Sequence, residues 1–264
     1  SGHRPRRLSY SALALFERCS YRYYAERVAG LRPVEAAVPE DGAGDVAAEG
    51  RLLATELGDA VHRLLELVPL AAPQAPARAE LEATVRGWYP RVTGDELERI
   101  AALVDAYCAS PLAQRLAGLA GALPERPFAF EHDGVLLHGR LDVLWLEGGR
   151  ALVVDYKSNA LGEATPAEIV EADYTLQRLV YALACLRAGV EEVEVAYQFL
   201  ERPEEVVSAT FARQDVAGLE ERLSAAIARI RDGDFRPTPS AYACQGCPAL
   251  DVVCAGPRLA LARE

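Results

Sequence analysis

Two adjacent glycines, Gly148-Gly149, separate two runs rich in Val, Leu and Trp, 135–147 and 150–157. A two-residue loop of this kind closes an antiparallel hairpin, because the turn needs positive φ at its centre and glycine supplies it freely. With Glu147 opposite Arg150, counting outward places Asp142 opposite Asp155. Like charges so opposed destabilise a sheet unless something neutralises them, and a divalent cation would do so. Side chains alternate along a strand, so Lys157 projects on the face of Asp155. Two carboxylates beside an ammonium suit metal-assisted phosphodiester hydrolysis. The cation polarises the phosphate and acidifies its water, while lysine stabilises charge developing at phosphorus. Hard oxygen ligands favour Mg²⁺ or Mn²⁺. The same register sets Arg140 opposite Lys157, an unfavourable pair.

Lys157 is also the only lysine among 28 basic residues. Arginine cannot perform every task of an ammonium, so one lysine in an arginine-rich chain is a candidate for chemistry. The 264 residues, 51% hydrophobic, are ample for a buried core and exclude a disordered chain or a small disulfide scaffold. No apolar run is long enough for a membrane span and no signal peptide is evident, so a soluble, cytoplasmic protein is expected. The start Ser1-Gly2-His3 reads as the remnant of a cleaved tag, and 1–7 as leader. With no Met, the chain is expected to be one domain, 8–264, cut from a longer protein.

Capping and periodicity predict a helix from Ser9 or Ser11 to about Val28, ended by Gly30 and Pro33, then a loop rich in Ala, Gly, Pro and acid over 34–50. A helical insertion follows over about 51–119, in segments 51–68, 77–88, 94–109 and 111–119. Strands are expected at 126–132, 135–147, 150–157, 192–200 and 205–211, with helices near Pro166 and over 174–188 and 213–232. The pattern is that of an α/β unit with a helical N-terminal part.

His62 lies one turn after Gly58, whose missing side chain leaves room for close approach, and imidazole is a common metal ligand. A lone helical histidine is more often a packing residue. Gln177 and Tyr181 share a helix face and could contact phosphate or Lys157. Glu131 precedes the hairpin and could bind a second metal, although a structural role is the simpler reading. Cys19 stands alone near the start, and Cys244, Cys247 and Cys254 near the end, in a C-x2-C-x6-C spacing; 240–256 is irregular. In a reducing compartment a metal is the better account of these thiols than a disulfide. Four thiolates without two close pairs fit a [4Fe–4S] cluster better than zinc, which stays open. Cys108 and Cys185, inside apolar helical runs, read as core.

The segment Leu8-Ser9-Tyr10-Ser11 with Cys19 and Tyr21 to Tyr24, Gly58 to His62, Gly139 to Asp142, Asp155-Tyr156-Lys157, Gln177 with Tyr181, and the terminal cysteines together resemble the RecB/AddB-type nuclease domain of the PD-(D/E)XK superfamily. The cysteines are similar to those of its iron–sulfur members. The resemblance implies a restriction-endonuclease-like mixed sheet flanked by helices. It further implies metal ligation by His62, Asp142 and Asp155, and a catalytic Lys157 supported by Gln177 and Tyr181. Cys19, Cys244, Cys247 and Cys254 become ligands of a cluster joining the two ends. The implied activity is metal-dependent DNA exonuclease action, on DNA that is single-stranded or has a free end, in recombination and repair, beside a helicase of the UvrD type in the same chain or a partner subunit. A non-catalytic DNA-binding or scaffold module, or a zinc-stabilised interaction domain, is the rival reading.

The net charge of −11 sits awkwardly with a DNA partner. Arg18, Arg22, Arg27 and Arg32, interleaved with Tyr21, Tyr23 and Tyr24, offer a local surface for phosphates and base stacking, unless the tyrosines pack inward.

Overall fold

The computed structural model describes residues 3–32, 51–244 and 246–258. The loop expected over 34–50, together with Ser1, Gly2 and Pro33, lies outside the described residues. Six strands form one mixed sheet: β1 (Arg7–Ser9), β2 (Leu123–His132), β3 (Val135–Glu147), β4 (Arg150–Lys157), β5 (Glu192–Phe199) and β6 (Val207–Ala212). The hairpin forms as its glycines require. Glu147 faces Arg150, and Gly148 and Gly149 take φ of 56° and 79°.

β3 organises the sheet. Residues 135–144 pair antiparallel with β2 along one edge. The other edge is shared, by β4 at residues 143–147 and by the parallel β1 at 136–138. Residues 139–142 therefore fall in a gap where that edge has no ladder partner. β4 pairs parallel with β5, and β5 antiparallel with β6. The parallel step needs a crossover, supplied by α7 (Pro166–Asp173) and α8 (Thr175–Arg187).

Helices cover both faces. On one, α1 (Tyr10–Arg18), α7, α8 and α9 (Val216–Asp232) pack with Leu137, Leu141, Ala151, Val153 and Val195. On the other, α3 (Ala54–Leu67), α4 (Arg78–Trp88), α5 (Gly94–Ala109) and α6 (Pro111–Ala117) pack with Val143, Leu152, Val154 and Tyr156. β4 thus feeds both layers, which is why it reads as an unbroken apolar run. On β3, Leu141 and Val143 face opposite layers although two residues apart. The alternation slips by one at Asp142, inside the gap.

Two expectations fail near the N-terminus. Arg7, assigned to the leader, opens β1, which is too short to show a periodic signal. The helix expected to run unbroken to Val28 is capped by Ser9 but breaks at Cys19, whose backbone is extended (φ −157°). It resumes as α2 (Ser20–Tyr23) and a π-helical turn, Tyr24–Val28. Among the described residues no helix is long and apolar enough to cross a membrane.

Candidate active site

The hairpin ladder ends at Val143 opposite Val154, one pair short of the aspartates. Instead of facing Asp155 across a regular ladder, Asp142 turns its Oδ2 to accept the backbone N–H of Tyr156 at 2.7 Å. The strands part here, so Arg140 does not oppose Lys157. It lies opposite Pro127 of β2 and donates to Glu125 Oε2 at 3.1 Å.

On the α1/α8 side, four side chains close a ring. Lys157 Nζ donates to Gln177 Oε1 at 3.1 Å, Gln177 Nε2 donates to the Tyr181 hydroxyl at 3.0 Å, and that hydroxyl donates to Asp155 Oδ2 at 2.9 Å. Lys157 Nζ returns to Asp155 Oδ1 at 2.5 Å. That last contact is an ion pair without hydrogen-bond geometry, so Asp155 Oδ1 is sealed from water yet accepts no hydrogen bond. Burial, then Asp155, holds the Tyr181 hydroxyl well above its ordinary pKa, so it stays a donor. The ammonium also lies 4.0 Å over the Tyr174 ring.

On the other side, His62 reaches in from α3, its Nδ1 3.6 Å from Asp142 Oδ2. Burial above all lowers the His62 pKa, so the ring is neutral near pH 7 and the contact is not an ion pair. The imidazole lies 6.4 Å, centroid to centroid, from the Tyr156 ring, which is anchored in turn by its hydroxyl on that of Tyr107 at 3.0 Å. The group that uses the space at Gly58 is Ser158, whose Oγ would lie 3.0 Å from a Cβ there.

Sequence reasoning missed Glu125. It stands opposite Asp142, between the pairs Pro124–Val143 and Arg126–Leu141, with φ of +50°, a left-handed conformation costly for a side chain of this kind. Donor atoms of His62, Glu125 and Asp142 all lie within 4.8 Å of one another. They line a pocket of about 10 Å³, room for one water-sized body. Burial first, then Glu66, raises the Glu125 pKa, and burial first, then Asp155, raises that of Asp142 well above the ordinary range. Nothing in the local sequence marks Glu125, because the signal is a register between strands. Glu131, the carboxylate considered from the sequence, is exposed opposite Leu136 and does not join the group.

Tyr10 enters from the start of α1. Burial, Asp155 and Asp142 push its pKa to about 12. Its ring occupies the space that Gly139 leaves open.

The arginine–tyrosine stripe is only partly a free surface. Tyr23 is buried, and Arg22 is spent on Glu26 (2.7 Å) and on the carbonyls of Ala243 (3.0 Å) and Gly246 (3.3 Å). Those bonds stitch the segment after Cys19 to the chain flanking Cys244. Ser20 Oγ accepts from Arg236 N, Thr238 donates to Arg18 O, and Tyr21 donates to Val253 O. Cys19 is buried and close enough to Cys247 to oppose its ionisation, while burial is the largest effect raising the Cys247 pKa. The backbone N–H of Leu250 donates to the Cys247 carbonyl at 3.1 Å, and that of Gly256 lies 3.4 Å from Cys254 Sγ. A Cβ on Gly256 would sit 3.8 Å from Cys244 Sγ. Cys108 and Cys185 stand apart, burial raising their pKa values to about 11 and 12.

Residues 7–254 match the PD-(D/E)XK nuclease superfamily, and the chain belongs to it. Its mixed sheet flanked by helices is the restriction-endonuclease-like arrangement. Among solved structures it is similar to a presumed exonuclease from Eubacterium rectale, with a TM-score of 0.53 and 12% identity over 94% of this chain and 90% of that one. That likeness is one of fold. A second structure, of the protein SSO0001, is 15% identical over 76% of this chain and 95% of that one, with a TM-score of 0.37. No curated protein matches by sequence.

Proposed function

We propose that the chain is a Mg²⁺- or Mn²⁺-dependent DNA exonuclease. The observation that carries this reading is the placing of the single lysine, tied to Asp155 and Gln177, beside the His62, Glu125 and Asp142 donors. His62, Asp142 and Asp155 would hold the cation, with Glu125 in reach. The residues suit it: the donors are mostly hard oxygens, the imidazole is neutral, and Asp155 Oδ1 is buried without a hydrogen-bond donor. When bound, a divalent cation supplies a polarised phosphate and a water acidic enough to serve as nucleophile near neutral pH.

The chain's own residues do the rest. Tyr181 holds Asp155 Oδ2, while Oδ1, paired with Lys157, accepts no hydrogen bond. Gln177 restrains Nζ of Lys157, whose charge then stands ready for the negative charge that develops on the phosphate oxygens. The Tyr156 backbone N–H fixes Asp142. A non-catalytic scaffold has no use for a closed ring of this kind, which costs desolvation.

Cys19, Cys244, Cys247 and Cys254 are read as ligands of one [4Fe–4S] cluster. A cubane takes one thiolate at each of four iron corners, and the Gly256 N–H beside Cys254 Sγ suits such a centre; zinc on the same four thiolates is the alternative. A helicase, in the same chain or as a partner subunit, would deliver the strand to this acidic domain during recombination and repair, in a cytoplasm that keeps the thiols reduced.

The test is cleavage of end-labelled DNA with Mn²⁺ under anaerobic conditions. Lys157→Ala should lower the rate at least about 100-fold with the fold intact by circular dichroism. Undiminished cleavage by that variant would overturn the assignment.

A further inference from the structure

The Lys157 ammonium meets Asp155 from its own strand, and Gln177 and the Tyr174 ring from the start of α8. The position of that helix start therefore decides where Nζ stands. Its own sequence does little to fix it. Tyr174, at the N-cap, has no side chain suited to capping, and the first turn holds no acid. The cap comes from another helix. Glu17, in the last turn of α1, accepts the hydroxyl of Thr175 and, at 2.9 Å, the backbone N–H of Leu176. A carboxylate there also meets the positive pole of α8. The next residue, Arg18, lies 3.5 Å from Asp173 on the near side of the same junction. The end of α1 thus grips residues 173, 175 and 176, which bracket Tyr174 and adjoin Gln177. Holding Glu17 there is costly, since burial is the largest influence on its carboxyl and raises the pKa above 4.5 against both hydrogen bonds. A cap for stability alone could have come from Ser, Thr, Asn or Asp at 174. That place is taken instead by the ring that lies over Lys157.

We propose that Glu17 is a positioning residue for Lys157, setting the first turn of α8 so that Gln177 and Tyr174 meet the ammonium. The effect on cleavage rests on the nuclease reading, whereas the placing of the ammonium does not. Misplacing a catalytic group by about 1 Å can cost about 100-fold in rate, so a loosened turn should act on kcat and spare KM.

The test uses the fact that Lys157 is the only lysine. Protein grown on lysine labelled with ¹³C at Cε gives one side-chain resonance, and the Tyr174 ring should move its protons upfield of free lysine. Glu17→Ala should return that resonance toward the free position and lower kcat for Mn²⁺-dependent cleavage about tenfold, with KM changed less than about twofold. Glu17→Gln should restore both, because a carboxamide can accept from the Leu176 N–H and donate to Thr175 Oγ1. Thr175→Val, which keeps the Leu176 bond, should shift the resonance the same way by less, and it carries the test if Glu17→Ala does not fold. Ile100→Val, in the core on the opposite face of the sheet, should lower the melting temperature and leave the resonance in place. A wild-type resonance in Glu17→Ala, or in Thr175→Val where that variant stands in, would overturn the proposal and leave Glu17 a cap for stability alone. No recovery in Glu17→Gln, or the same displacement in Ile100→Val, would also overturn it. A displaced resonance in Glu17→Ala with no cleavage by the wild type would instead overturn the nuclease reading and keep Glu17 in its positioning role.

Discussion

Adding one methyl group at Gly139 should damage this protein out of proportion to its size. Gly139 lies in the gap of β3, and a Cβ there would come within 2.2 Å of Tyr10 Cδ1, 2.9 Å of Tyr10 Cε1 and 3.0 Å of Phe128 Cε1. Neither ring can retreat easily. Tyr10 and Phe128 both pack edge-on against Tyr181, at centroid distances of 5.6 and 5.8 Å, and Tyr181 is wholly buried. Overpacking of this kind costs about 1–3 kcal/mol. The gain from restricting the unfolded chain at a glycine is about 0.4–1 kcal/mol and cannot offset it. With a 2.2 Å approach to a boxed ring, the net loss in Gly139→Ala should be about 2 kcal/mol, or about 4–8 °C in melting temperature for a domain of this length. A double-mutant cycle isolates the cause. In a Tyr10→Ala background the methyl should cost no more than about 1 kcal/mol, giving a coupling of at least about 1 kcal/mol between the two sites. A wild-type melting temperature in Gly139→Ala, or strict additivity with Tyr10→Ala, would refute the claim that this glycine exists to admit the tyrosine.

Glu125→Gln should weaken Mn²⁺ binding about tenfold by calorimetry while preserving the melting temperature of the metal-free protein; unchanged affinity would return Glu125 to a partner of Arg140 alone. The raised pKa of Asp142 means that the folded chain binds its proton more tightly than the unfolded chain does. The metal-free fold should therefore lose stability as pH climbs from the ordinary aspartate range, near 3.8, through the raised value. Asp142→Asn should flatten that part of the thermal-melting profile, and a slope identical to wild type would show that the carboxylate pair is not its source. Cys19→Ser should lose iron by colorimetric assay and become protease-sensitive near both ends, since metal-binding energy is folding energy where the site is absent from the unfolded chain; a colourless wild-type protein with one zinc would reject the cluster but keep the tie between the ends.

The hairpin was legible because glycine pairs and two-residue alternation are local. Its register holds from Glu147 opposite Arg150 to Val143 opposite Val154. What the count could not foresee is the parting of the strands at Asp142, because that depends on β1 competing for the same edge of β3, and three residues carry no periodic signal. The break at Cys19 was hidden for a related reason. Ser20 and Arg22 bond to Arg236 and Ala243, more than 200 residues on, and those tertiary bonds override a helical pattern that is otherwise continuous. Glu125 was invisible because its only distinction is a position opposite Asp142 and a backbone conformation its residue type disfavours. Gln177 and Tyr181, by contrast, needed only helical spacing to be placed together.

The acidic balance of the chain ceases to be an obstacle once a divalent cation in the His62 pocket is allowed for. Carboxylates that would repel a phosphate are gathered on the His62 side, where Asp142 and Glu125 already hold their protons more tightly than free carboxylates. A divalent cation there would cancel the charge these carboxylates carry when ionised, so the pocket that opposes DNA without metal would favour it with metal. Affinity for a strand should therefore rise with Mn²⁺ in the wild type and lose that dependence in Asp142→Asn, and equal binding with and without Mn²⁺ would refute this account.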